Sequence, residues 1–224
     1  ADADRMIAAA EESGTLLSIE HTRRWDPGHH AARELVRSGA IGPLRSITAS
    51  LHSKRAMLFR NGTHSIDAIC FFAESDPLWV FAELEEGFDH FTEYKSDGGH
   101  DPATDPAASA YIHFANGVRG FFDSLKVTMP GSQIEVQCDA GRLEVSDREV
   151  VLVRGSSHWE RSRQAIPVDS FMYTLQLGAV AELVRVLEEG GELVSPAREA
   201  RKTLQIMLGI LKSHERGNVR AQMD

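Results

Sequence analysis

Helical spacing of apolar residues marks the two ends of the chain. Apolar positions three or four apart predict helices over residues 2–13, 29–38 and 170–189. A further helix is predicted to begin after Ser195-Pro196, because a capping residue followed by proline favours a helix start, and to run to about His214. The ends of the chain are therefore predicted to be mostly helical.

The middle of the chain is dominated by short apolar or alternating segments, which predict β-strands. Asn116-Gly117 separates two of them in the manner of a two-residue hairpin. A helix capped by Asn61-Gly62 is predicted between the strands at 44–51 and 78–84, and the acidic segment 83–105 predicts a long exposed loop. The predicted strands are 16–19, 44–51, 78–84, 109–114, 118–125, 133–138, 142–146 and 150–153.

This order of elements predicts an α+β fold: a large, mostly antiparallel β-sheet of consecutive strands with helices on one face. Helix 2–13 and strand 16–19 come first, with no earlier strand to pair with. In an α/β protein such a pair is the last step of a series. We therefore predict a residual α-β unit of a Rossmann-type domain at 1–22 and an α+β domain at 23–224.

Composition narrows the function classes. The chain has 24 Lys and Arg against 33 Asp and Glu, a net charge of −9, which disfavours binding to nucleic acid or to an anionic membrane. Two cysteines cannot form a disulfide scaffold, and no apolar run reaches 18 residues, so a cytoplasmic location is predicted. No two of the 18 glycines are separated by a single residue, so the G-x-G-x-x-G turn of a dinucleotide site is absent. This chain by itself is predicted to bind neither NAD nor NADP.

Three segments carry a family resemblance. Arg24, Trp25 and Pro27 match an R-[FW]-x-P turn, residues 61–67 contain G-x-H-x-x-D, and residues 200–217 contain A-x(3)-L followed by S-x(3)-G. In this order and spacing they resemble the glucose-fructose oxidoreductase, inositol dehydrogenase and rhizopine-catabolism (Gfo/Idh/MocA) family. The similarity covers almost the whole chain.

The resemblance implies a nicotinamide-dependent oxidoreductase acting on a sugar, polyol or related hydroxy compound. Family members have an N-terminal Rossmann domain that holds NAD or NADP, and a C-terminal α+β domain through whose open sheet face they often pair. This chain is then the substrate-binding and assembly domain, inactive alone and expected to form a homodimer or larger oligomer. The alternative is a non-catalytic binding or oligomerisation module that lacks a cofactor domain.

His64 is the predicted catalytic residue. It matches the histidine of the family motif, and a neutral imidazole is suited to accept or relay the proton of a substrate hydroxyl at pH 7. Its predicted place in the first turn of a helix disfavours the protonated form. The alternative is a histidine that only helps to cap this helix.

The residues just before His64 are candidates for substrate binding. Many family members have an aspartate where this chain has Arg60, and Asn61 follows it. An arginine cannot accept a proton, but it can hold a polar or anionic substrate. The alternative for Arg60 is a solvated loop.

Three further residues are candidates around the same site. His21 and Arg24 follow a predicted strand, at the end where ligands collect in α/β sheets, although Arg24 could instead stack with Trp25. Asp67 shares a helix face with His64, which it could orient, or it could anchor the helix. No metal site is predicted, because the spacing of the acidic-loop residues His90, Asp97, His100 and Asp101 matches no ligand pattern.

Overall fold

The computed structural model describes residues 2–94, 100–146, 149–157 and 159–223. The predicted helices are present, although the fourth begins at residue 175 rather than at 170. None of the helices in these ranges combines the length and apolar character needed to cross a bilayer. Their bounds are α1, Asp2–Ser13; α2, Pro27–Arg37; α3, Thr63–Ala73; α4, Leu175–Glu189; and α5, Ala197–Glu215.

The strands of the described residues form one nine-stranded sheet. They are β1, Leu44–Ser53; β2, Pro77–Leu84; β3, Ala108–Phe114; β4, Arg119–Lys126; β5, Gly131–Cys138; β6, Gly141–Val145; β7, Val150–Gly155; β8, Arg161–Ala165; and β9, Ala221–Gln222. Their order across the sheet is β8-β7-β6-β5-β1-β4-β3-β2-β9. Neighbouring strands are antiparallel except β1 and β4, so the predicted α+β class with a large, mostly antiparallel sheet is confirmed.

The sheet differs from the predicted one in three places. β1 lies between β4 and β5, so these consecutive strands do not pair with each other as predicted. β8 was not predicted, because its side chains are all exposed and carry no apolar alternation. The predicted strand at 16–19 is wrong: this segment makes a single bridge, from Ser18 to Pro196. The domain boundary at residue 22 stays a prediction.

The core lies between one face of the sheet and the helices. Residues of α2, α3 and α5 join the inward side chains of β1–β7 in one buried cluster, and α3 is buried throughout Ser65–Ala73. A Cβ on Gly62 would lie 2.9 Å from Cζ of Phe122 on β4. Glycine at this position therefore lets the start of α3 approach the sheet closely.

The opposite face of the sheet carries no helix in the described residues. On this face, aromatic side chains alternate along the strands with the residues that point into the core. The ring centroids of Trp79 and Tyr111 lie 5.1 Å apart, and those of Tyr111 and Phe121 lie 5.2 Å apart. The guanidinium of Arg220 lies 4.2 Å from the ring centre of Trp79. This face combines aromatic surface with charged residues.

Candidate functional site

A cavity of about 480 Å³ opens where the start of α3 meets the segment that leads into α2. The side chains of β5 and β6 form its floor, and Leu175, which has a positive φ of 52°, lies at its edge at the start of α4. The polar and titratable residues at its wall include Arg23, Asp26, His29, Asn61, His64 and Ser65.

The start of α3 is not the capped helix end that the sequence predicts. A π-helical turn over Leu58–Gly62 runs directly into α3. The buried carboxylate of Asp105 accepts the backbone N–H groups of Phe59 and Arg60, at 3.0–3.1 Å, and so caps this turn. π-helical turns within helices are frequent at functional sites.

Two consequences follow for the predicted residues. Asn61 does not cap the helix: its Nδ2 donates to the carbonyl of Arg55 at 2.6 Å while its side chain lines the cavity. His64 is not in the first turn of the helical segment, because that segment begins six residues earlier. The end of the helix therefore has little influence on the charge of His64, since its effect falls off within a turn.

His64 lines the cavity, and its environment favours the neutral imidazole. Its Nδ1 is buried and has no hydrogen-bond partner among the described residues. Burial lowers the pKa of His64, and so do the nearby side chains of His21, Arg23 and Arg60, whereas Asp67 acts in the opposite direction. A side chain with these properties can accept a proton at neutral pH.

Asp67, three residues after His64 on α3, forms a buried ion pair with Arg24. Nε of Arg24 donates to Oδ2 of Asp67 at 2.8 Å and Nη2 donates to Oδ1 at 2.9 Å, with Asp67 0% and Arg24 2% exposed. Thr203 of α5 donates to the same carboxylate at 3.1 Å, and Arg24 also donates to the carbonyl of Val194. These contacts join three segments of the chain and leave neither charged group a surface that a ligand can reach.

The surroundings of Asp67 stabilise its ionised form. Burial alone would raise its carboxyl pKa, but the contacts with His21 and Arg24 outweigh burial and hold the pKa below its ordinary value. Burial likewise opposes the charge of Arg24, whose pKa is raised because Asp67 lies against it. Both groups are ionised at neutral pH.

His21 connects this ion pair to His64. It is 7% exposed, its Nδ1 lies 2.8 Å from Oδ1 of Asp67, and its Nε2 lies 3.3 Å from the hydroxyl of Thr63. The contact with Asp67 is short, although Nδ1 of His21 has no hydrogen-bond partner among the described residues. The rings of His21 and His64 meet edge to face, with centroids 6.1 Å apart. His21 thus supports the catalytic candidate from behind the cavity.

An Asp-His pair that the sequence analysis missed also lines the cavity. Oδ1 of Asp26 accepts a hydrogen bond from the backbone N–H of His29 at 2.9 Å. The same oxygen lies 2.8 Å from Nδ1 of the His29 ring. Burial alone would raise the carboxyl pKa of Asp26, but the two bonds from His29 lower it. The spacing could have revealed this pair, because an aspartate before a helix and a polar residue three positions later form reciprocal capping contacts.

The remaining candidates lie outside the cavity. Arg60 is exposed and is not part of the cavity wall. Its role in binding substrate stays a prediction. Within the described residues, no three metal-ligating side chains come together, and Asp97 lies outside those residues.

A larger groove of about 840 Å³ lies between α1 and α5. Its basic side chains pair with acidic ones, as Arg198 does with Glu11 and Lys202 with Asp76 and Glu199. No histidine of the described residues lines it. The charges of these basic side chains are therefore already paired with acidic residues of the chain, and the smaller cavity is the better candidate site.

Comparison with known proteins identifies the fold and the family. A family model described as the GFO/IDH/MocA C-terminal domain matches residues 29–144, which is more than half of the chain. The chain belongs to the GFO/IDH/MocA family. The resemblance carried by the three sequence motifs is thereby confirmed.

Solved structures with the same fold include several oxidoreductases. The chain is similar to an aldose-aldose oxidoreductase from Caulobacter crescentus complexed with glycerol (18% identity, TM-score 0.78, 99% of this chain and 68% of that one). It is also similar to an oxidoreductase from Agrobacterium radiobacter in complex with NAD+, L-tartaric acid and magnesium (15%, 0.73, 99% and 69%). A third is an NAD-binding protein from Listeria innocua (15%, 0.72, 99% and 71%). No curated protein sequence matches the chain.

Proposed function

We propose that this chain is the substrate-binding and assembly domain of a nicotinamide-dependent oxidoreductase that acts on a sugar, polyol or related hydroxy compound. The observation that carries the proposal is His64, a cavity-lining imidazole with a lowered pKa and a buried, unpartnered Nδ1 among the described residues. Membership of the GFO/IDH/MocA family supports it. So do the glycerol and tartaric acid complexes of two proteins of the same fold, since both molecules are hydroxy compounds.

The residues of this chain do not fit a dinucleotide cofactor. The glycine spacing that admits a pyrophosphate is absent, and in the described residues the one parallel strand pair, β1 and β4, belongs to the antiparallel sheet rather than to a βαβ unit. The cofactor, NAD or NADP, would have to be held by a dinucleotide-binding domain. Residues 1–22 would be the last part of that domain, and its other residues would lie outside this sequence. The chain alone is then inactive.

The chemistry of this chain is the removal of a hydroxyl proton. A substrate hydroxyl that donates a hydrogen bond to the neutral imidazole of His64 loses its proton to that ring as the carbon is oxidised. NAD or NADP, when bound, would supply the acceptor for the hydride. The buried ion pair of Arg24 and Asp67, with His21 in front of it, holds α3 and so positions His64. Asn61 lies beside His64 on the cavity wall, where it is placed to bind a second part of the substrate.

The helix-free face of the sheet is proposed to form a homodimer in the cytoplasm. Phe81 is 46% exposed there, beside the Trp79, Tyr111 and Phe121 cluster. Aromatic side chains are enriched in protein interfaces. A second copy of the chain would cover them.

The test uses the complete coding sequence from the source genome, expressed and assayed for reduction of NAD and NADP with a panel of polyols and sugars. His64→Ala should lower kcat at least about 100-fold, the range expected for loss of a general base. His64→Asn, which keeps much of the size but cannot accept the proton, should be nearly as inactive, whereas the exposed control His90→Asn should be fully active.

Two results would contradict the proposal. A normal kcat for His64→Ala would remove the catalytic assignment. A complete protein that reduces neither cofactor with any hydroxy compound would instead favour the non-catalytic binding or oligomerisation module.

A further inference from the structure

We propose that His29 is a second hydroxyl-binding group of the cavity, so that its ligand is a polyol that presents one hydroxyl to His64 and another to His29. This deepens the proposed function and rests on it for the class of ligand, a hydroxy compound. It adds a specificity: a ligand with a single hydroxyl leaves one of the two imidazoles without a partner.

The first support is the place of His29. It is 2% exposed and lines the same cavity as His64. Its Nε2 is buried and has no hydrogen-bond partner in the part of the chain that the structure describes. Buried side-chain nitrogens normally find a partner, so an unpaired one at a cavity is a position where a water molecule or a ligand group can bind.

The second support is the chemistry of the pair with Asp26. The carboxylate can only accept, so the Nδ1 that contacts it at 2.8 Å carries the hydrogen. In the neutral imidazole the hydrogen on Nδ1 leaves a bare lone pair on Nε2. In this neutral form Nε2 of His29 is an acceptor, and a hydroxyl is a ligand group that donates to it without carrying a charge.

A purely structural role does not account for this arrangement. The start of α2 is already capped, because Asp26 accepts the backbone N–H of His29 at 2.9 Å. The ring stacks at a tilt on Phe72, with centroids 6.2 Å apart, a contact that an apolar side chain could make equally well. The imidazole adds only the contact with Asp26 and the free Nε2.

Two substitutions separate these features. His29→Asn keeps a donor near the position of Nδ1, which can contact Asp26, and removes the acceptor at Nε2. His29→Gln places an amide oxygen near the position of Nε2 and removes the donor at Nδ1. If His29 binds a hydroxyl, the asparagine variant loses affinity and the glutamine variant keeps it; if His29 only supports Asp26, the order is reversed.

The experiment titrates the chain with myo-inositol, and with cyclohexanol as the single-hydroxyl control, by ligand-observed NMR. For myo-inositol, His29→Asn should raise Kd at least about 5-fold, as expected for one lost hydrogen bond, and His29→Gln should stay within about 2-fold of wild type. The cyclohexanol affinity should not differ among the three proteins. His90→Asn is the matched surface control, and circular dichroism checks that each variant is folded.

A direct measurement on the wild-type chain accompanies the variants. In a sample with ¹⁵N-labelled histidine, myo-inositol should shift the Nε2 resonance of His29, because that nitrogen gains a hydrogen bond, and cyclohexanol should not. The proposal is overturned if myo-inositol does not bind, if the Nε2 resonance does not move, or if His29→Gln loses as much affinity as His29→Asn. Binding by the chain is measured without cofactor. If the dehydrogenase assay fails, the titration still decides whether His29 binds a hydroxyl.

Discussion

Arg24 and Asp67 should contribute far more to stability than any exposed ion pair of this chain. Arg24→Met keeps the length of the side chain but removes the charge, and it leaves the fully buried carboxylate of Asp67 with only Thr203 and His21 as partners. Removing one partner of a buried pair costs about 3–5 kcal/mol. Since domains of this kind are stable by about 5–15 kcal/mol, the variant should lose a large part of its free energy of unfolding.

The matched control is Arg37→Met. Arg37 is exposed and pairs with Glu34 and Glu74, and exposed pairs are worth about 0–1 kcal/mol. Urea unfolding followed by circular dichroism measures both variants against wild type. Equal losses of unfolding free energy for Arg24→Met and Arg37→Met would refute the reasoning.

The same pair gives the stability of the protein a defined pH dependence. The carboxyl pKa of Asp67 is lowered in the folded chain from an ordinary value of 3.8. Its contribution is therefore complete above that ordinary value and is lost as the pH falls through the lower, folded value. The difference in unfolding free energy between wild type and Arg24→Met should shrink on acidification, whereas a constant difference would assign the loss to packing alone.

Three other predictions follow from separate parts of the molecule. Gly178→Ala should cost about 1–3 kcal/mol in urea unfolding, because the new Cβ would lie 2.8 Å from Cβ of Trp25, whereas Gly131→Ala, with nothing within 4 Å, should be nearly neutral. In the complete enzyme, kcat/KM should rise with pH through a midpoint below the ordinary 6.5 of histidine, since the pKa of His64 is lowered; a midpoint above 6.5 would exclude it as the base. Phe121→Arg should convert the proposed dimer to a monomer in light scattering, and an unchanged mass would show that this face is not the interface.

Sequence periodicity predicted most elements because their burial is local. The buried positions of β2 and β3 alternate along each strand, and α3 shows a run of apolar residues. Consecutive strands such as β3 and β4 pair through a short turn that the sequence reveals, but the pairing of β1 with β4 joins segments about 70 residues apart and could not be found from periodicity. β8 lacks an apolar face and gave no signal at all.

Only the site residues that belong to a short sequence motif could be predicted. His64 was found because the G-x-H-x-x-D spacing is contained within six residues. The bond between Arg24 and Asp67 spans 43 positions, and burial is what turns these two ordinary charged residues into a supporting pair. His29 was missed for a different reason: its partner Asp26 belongs to a segment that turn propensity alone explains.

The three histidines near the cavity differ in the charges that contact them, and this difference assigns their roles. His21 and His29 each lie 2.8 Å from a carboxylate oxygen, of Asp67 and Asp26 respectively, and the hydrogen bond that His29 makes to Asp26 fixes the orientation of its imidazole. Among the described residues no carboxylate contacts the ring of His64, and burial with nearby positive charge lowers its pKa. A base has to be neutral before it acts and free to receive the proton, whereas positioning and binding groups have to be held. Burial therefore performs at His64 the role that the sequence assigned to the end of a helix.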